Sequence, residues 1–191
     1  MRLMKKGYTL IEILVVVGIL AILSGLVFSM MGSGNLAWNA QNIKLELQQK
    51  ARIAMEYMVE DLYQTTPNQL SLANGNTIVI FKVPVIVPPD TDIYDAGGDI
   101  TWGALSNITY SIRYSRNAGN QLVRDVIDPS SAVMNTKICA NNVTALQFSP
   151  QPLAPALART VNITITCSRP LRVGATTNVT TDLQSQVTLR N

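Results

Sequence analysis

The chain of 191 residues contains no histidine. That excludes His-based catalytic triads and His-ligated metals, and it lowers the expectation of enzyme chemistry in general. Serines are plentiful, but no G-x-S-x-G turn accompanies them, so nucleophilic catalysis has no visible machinery. Cysteine is scarce: Cys139 and Cys167 are the only two. Without metal-ligand neighbours they make a poor zinc site. In an exported domain a disulfide between them would persist. It would close a loop of about 29 residues, worth roughly 3.5 kcal/mol in the chain-entropy model. Two buried free thiols are the alternative. No internal repeat is visible, and the length suits one anchored domain with a modest core.

Charge is also short. The formal balance is +3, but Arg2, Lys5 and Lys6 all precede Gly7. Without residues 1–7 the fifteen basic residues fall by three to twelve, equal to the twelve acidic ones. The basicity belongs to the extreme N-terminus, and no direct nucleic-acid partner is expected.

What the chain does have is an apolar run. Leu10 to Met31 is 22 residues, about 33 Å as a helix, which matches a hydrocarbon core of ~30 Å. Glu12 is its one ionisable residue. A carboxylate there costs several kcal/mol unless neutralised, so it reads as functional. An ordinary secretory signal would end in a small-residue cleavage site, and no clear Ala-x-Ala follows. A plain anchor leaves Glu12 unexplained. A third reading places a cut before the run, between Gly7 and Tyr8. Lys5 and Lys6 would hold the leader in the cytoplasm, and Gly7 lets the backbone approach a protease closely.

The stretch Lys5-Lys6-Gly7-Tyr8-Thr9-Leu10-Ile11-Glu12 resembles the class III signal of type IV prepilins and type II secretion pseudopilins. Tyr8 stands where phenylalanine is commoner. The resemblance implies cleavage after Gly7 by a prepilin peptidase and N-methylation of the new ammonium at Tyr8. It implies an inner-membrane, single-pass subunit with its head outside the cytoplasm, drawn into a filament by an assembly platform together with other pilin or pseudopilin subunits. Glu12 of one subunit can then pair with the Tyr8 ammonium of a neighbour, each charge removing the other's desolvation penalty and favouring one axial register. Glu12 also sits near the positive end of its own helix dipole.

Gly32-Ser33-Gly34 weakens the helix by about 1 kcal/mol per glycine, so it can loosen there. The pattern resumes with Leu36, Ile43, Leu47, Ala51, Ala54, Met58 and Leu62, one apolar stripe at helical spacing. Thr65-Thr66-Pro67-Asn68 ends it. A helix from Tyr8 to about Gln64 would run ~85 Å, and its second half needs a domain to cover the stripe.

Beyond it the chain reads as strands. Thr77–Lys82 is a buried run. Ile108, Tyr110, Ile112 and Tyr114 alternate with polar residues, and Gly119-Asn120 turns into Gln121–Val126, a hairpin pattern. Val143–Phe148 is a strand. Val161, Ile163, Ile165 and Cys167 alternate with Asn and Thr, which puts Cys167 on a core face. Leu183 to Leu189 is the last. Such alternation belongs to antiparallel sheets with one covered face. The fold expected is α+β and pilin-like: a long N-terminal helix, half membrane and half amphipathic, packed on an antiparallel β head. The segments are a leader at 1–7, a membrane half at 8–31, an amphipathic half at 32–66 and the head at 67–191.

Ala51-Arg52-Ile53-Ala54-Met55-Glu56-Tyr57-Met58-Val59-Glu60-Asp61-Leu62, with the ending Gln186-Val187-Thr188-Leu189-Arg190-Asn191, resembles the minor pseudopilin class called PulJ or GspJ in type II secretion and PilW in type IV pili. That resemblance covers two short segments and implies a place in a priming or tip complex. A major pilin is an alternative, although the proline kink of major pilins is absent from Tyr8–Met31. The other alternative is a membrane-anchored extracytoplasmic domain that binds a ligand or is an enzyme.

Weaker features have plain explanations. Asp90, Asp92, Asp95 and Asp99 could wrap a hard cation such as Ca2+, but the spacing misses the EF-hand pattern and a solvated loop is the simpler reading. No other cofactor is expected. Asn107, Asn142, Asn162 and Asn178 each begin an Asn-x-Thr sequon, read here as polar positions in Thr-rich strands. Trp38 and Trp102 read as packing or membrane-interface residues.

Overall fold

Helix α1 runs from Leu10 to Gln64 in a computed structural model that describes residues 9–153, 157–172 and 176–190. The chain divides into two compact units, Met1–Asn42 and Ile43–Asn191, so the division falls inside α1. In the first unit the described residues are helical from Leu10 onward, and every side chain from Leu10 to Met31 is exposed. The loosening expected at Gly32–Gly34 does not occur, since helix continues through both glycines. About 1 kcal/mol per glycine is too little to interrupt a helix with many turns on either side, because propagation needs no new nucleus.

The second unit is built on the α1 stripe. Leu47, Ala51, Ala54, Met58 and Leu62 are all buried to within 1%, as their spacing predicts. Ala51 and Ala54 are fully buried among them and belong to the same core. Ile43 packs beside this face, half-buried.

Ten strands follow among the described residues, β1 Leu70–Ala73, β2 Ile78–Phe81, β3 Val83–Pro84, β4 Trp102–Gly103, β5 Ser111–Arg116, β6 Gln121–Ile127, β7 Val133–Asn141, β8 Val143–Gln151, β9 Thr160–Pro170 and β10 Asn178–Thr188. They form a five-stranded sheet ordered β1-β2-β5-β6-β7, a three-stranded sheet ordered β10-β9-β8, and the small pair β3-β4. Every pairing is antiparallel. The chain crosses from the first sheet to the second at Asn142, whose φ of 63° lies in the left-handed region that asparagine tolerates.

One core joins α1 to both sheets. Val79, Phe81, Ile112 and Tyr114 come from the larger sheet, and Leu146, Phe148, Val161, Ile163, Ile165 and Cys167 from the smaller. Phe81 and Tyr114 stack with centroids 6.2 Å apart, an arrangement that adds to their area burial. Cys167 is fully buried on the core face, where its alternation placed it.

Two strand expectations change. The strand starting at Ile108 begins instead at Ser111. Asn107 Oδ1 accepts the Thr109 N–H at 2.9 Å and its hydroxyl at 2.7 Å, a local turn that competes with a ladder. The same turn lies against β4, where a Cβ on Gly103 would stand 2.1 Å from the Asn107 carbonyl oxygen. Strand β7 was not expected, because most of its side chains are exposed and show no period-2 burial.

Candidate functional site

The residues singled out for processing, Lys5, Lys6, Gly7 and Tyr8, lie outside the described residues. The description begins at Thr9, and there the local chemistry is specific. The Thr9 carbonyl accepts the N–H groups of Glu12 and Ile13 at 3.1 and 3.3 Å. The Thr9 hydroxyl accepts the Glu12 N–H at 3.3 Å. Thr9 is therefore the N-cap and Glu12 the third helical residue, the Thr-x-x-Glu order of a capping box. Such a cap is worth about 1 kcal/mol, and a carboxylate in the first turn meets the positive end of the helix dipole. Sequence reasoning missed the role of Thr9, although Thr-x-x-Glu before an apolar run was its readable sign.

From Leu10 to Met31 the large apolar side chains are exposed, among them Phe28 at 74% and Ile22 at 68%. None of this apolar stretch is buried among the described residues. Covering so many side chains, at about 1.5–3 kcal/mol each, is worth tens of kcal/mol. Helix propensity cannot offset exposing them to water. A bilayer, or the matching helices of neighbouring subunits, meets that demand.

The head carries two polar clusters of a different kind. Asp61, on α1, accepts the Tyr114 hydroxyl at 2.7 Å and the Arg124 Nε–H at 2.6 Å. Burial, then the adjacent Asp61 carboxylate, pushes the Tyr114 hydroxyl far above its ordinary range. Burial works against the Arg124 charge, but its hydrogen bond and ion pair with Asp61 prevail and its pKa rises. This cluster fastens the helix to β5 and β6. On the opposite face, Asp125 accepts from Arg113 at 2.7 Å and from the Thr136 hydroxyl at 2.7 Å, tying β5, β6 and β7 together. Nothing in sequence announced the Asp61 cluster, whose partners lie 53 and 63 residues away.

Cys139 on β7 and Cys167 on β9 stand as separate thiols. Burial pushes the Cys167 thiol up to about 11 and raises Cys139 as well. Asp90, Asp92, Asp95 and Asp99 share one excursion between β3 and β4, but among the described residues no three of them gather closely enough to hold an ion. Asp95 Oδ1 accepts the N–H groups of Gly97 and Asp99 at 2.8 and 3.0 Å, and Asp92 Oδ1 that of Tyr94 at 2.9 Å. These carboxylates shape turns.

The family description "Prokaryotic N-terminal methylation motif" matches residues 2–28. No curated protein and no solved structure matches the chain. The matched motif spans the basic N-terminal residues, Glu12 and most of the exposed apolar stretch, and it favours a structural subunit over an enzyme. Together with that helix, it supports the class of pilins and pseudopilins: methylated, membrane-anchored precursors.

Proposed function

We propose that the chain is a minor pilin or pseudopilin, a structural subunit of a type IV pilus or type II secretion pseudopilus in its priming or tip complex. A prepilin peptidase cuts between Gly7 and Tyr8, and the new Tyr8 amine is methylated. The mature subunit rests in the inner membrane with its head outside the cytoplasm. An assembly platform then extracts it into a filament beside other subunits. Glu12 pairs with the Tyr8 ammonium of a neighbour and sets the axial register, since an unpaired charge of either sign in an apolar core costs several kcal/mol.

One observation carries this reading: the motif at residues 2–28 coincides with a helix whose apolar side chains are exposed among the described residues. The capping geometry agrees with it. Thr9 opens the helix only two residues after the proposed cut, so the mature chain is helical almost from its first residue. Co-expression with a prepilin peptidase tests the reading. Intact-mass and N-terminal sequencing should find a chain starting at N-methylated Tyr8. Recovery of Met1, or of a start after Met31, would rule it out.

A further inference from the structure

We propose that a cleft at the end of the head beneath the helix terminus binds a carboxylated saccharide, one acidic sugar unit at a time. The cleft measures about 980 Å³ and lies among the Thr66–Gln69 turn, the Tyr94–Trp102 segment, and Arg159 and Arg190, which stand just before β9 and just after β10. This assignment is independent of the filament role.

Arg159 and Arg190 both open onto the cleft and are exposed. Neither side chain has an ion-pair or hydrogen-bond partner among the described residues, whereas Arg113, Arg124 and Arg169 each hold a carboxylate. A guanidinium offers a planar fork of donors that matches a carboxylate bidentately. Tyr94 and Trp102 line the same space. Their ring faces carry partial negative charge and suit the polarised C–H face of a sugar. Asn68 and Gln69 contribute amides that can both donate to and accept from hydroxyl groups.

The walls are held in place before any ligand arrives. The Arg190 N–H donates to the Thr65 carbonyl and the Leu189 N–H to that of Arg159, both at 2.9 Å. Asp95 N–H donates to Asp99 O at 2.8 Å and Thr101 N–H to Ile93 O at 2.7 Å, closing the hairpin that carries Tyr94. Trp102 is paired with Pro84 in the small sheet. A preformed wall lowers the ordering cost of binding. Asp99 also lines the cleft, so among the described residues two cations stand against one carboxylate. That balance suits a singly charged unit. A nucleic-acid backbone needs a row of cations, and this cleft offers two among the described residues.

The test is calorimetric titration of the full mature chain in detergent micelles with a hyaluronan tetrasaccharide, whose glucuronates carry the carboxylates. Binding should weaken at least ten-fold on methyl esterification of the sugar. Arg159→Ala and Arg190→Ala should each lower affinity about ten-fold, and Tyr94→Ala several-fold. Arg172→Ala, an exposed arginine outside the cleft, should leave it unchanged. Both cleft arginines are exposed, so their variants should melt like the parent. The proposal is overturned by no binding, by equal affinity for the esterified sugar, by indifference to both arginine substitutions, or by tighter binding of oligothymidylate than of the saccharide.

Discussion

Replacing Asp61 with alanine should unfasten α1 from the five-stranded sheet, and the structure sets the size of the effect. Its Oδ2 serves both Tyr114 and Arg124 across the helix–sheet interface. Tyr114 is fully buried, so its hydroxyl would be left without an acceptor, costing about 1–3 kcal/mol. The Arg124 and Asp61 side chains are 25% and 19% exposed. Arg124 therefore keeps some water after the loss, and its share is smaller than for a fully buried pair, about 1 kcal/mol. The whole substitution should destabilise the head by about 3 kcal/mol. Asp61→Asn keeps the shape and one acceptor oxygen and should cost about half as much. Urea unfolding of the full chain in detergent, followed by near-ultraviolet circular dichroism, measures both. Tyr114→Phe completes a double-mutant cycle, with a coupling of about 1 kcal/mol expected. A loss below about 0.5 kcal/mol for Asp61→Ala, the range of an ordinary surface change, would refute the fastening role. So would zero coupling to Tyr114.

Glu12→Ala should leave membrane insertion intact or improved, because a costly charge is removed, while incorporation into sheared filaments falls about ten-fold or more as the Tyr8 ammonium loses its partner. Immunoblotting of membranes and filaments separates the two, and normal incorporation would contradict the pairing. Alkaline stability should depend on Cys167. A thiol whose folded pKa is raised from 9.0 to about 11 keeps its proton in the fold and gives it up on unfolding. Its contribution is whole below pH 9 and lost as pH rises toward 11. Melting temperatures under reducing conditions should drop across that window, and Cys167→Val should flatten the drop. An unchanged slope in the variant would show that Cys167 does not carry it.

The features on which the proposed function rests are local and readable in order along the chain. The methylation motif, the apolar run and Glu12 occupy one contiguous stretch, because a membrane reads a segment by its own chemistry. The α1 stripe was equally legible, since 3.6-residue spacing alone decides which helix face is covered. Strand β9 was legible for the corresponding reason. Its strict alternation sorts Val161, Ile163, Ile165 and Cys167 onto one face whatever lies beyond it. Strand β7 was not, because an edge strand with exposed side chains on both faces has no burial pattern to betray it. Ile108 and Tyr110 misled, because their alternation continued into residues that the Asn107 turn withdraws from the sheet.

The sequence by itself determined the long apolar helix, its amphipathic stripe and the antiparallel character of the head, for each depends on periodicity or on neighbours within a few residues. Only the tertiary structure decided the strand order, the passage between sheets at Asn142, and the meeting of Asp61 with Tyr114 and Arg124. It alone brought Arg159, Arg190, Tyr94 and Trp102 to one cleft. These arrangements join residues far apart in the chain. Their energies lie in directional hydrogen bonds and shared burial, and neither leaves a period or a spacing in the sequence that could announce it.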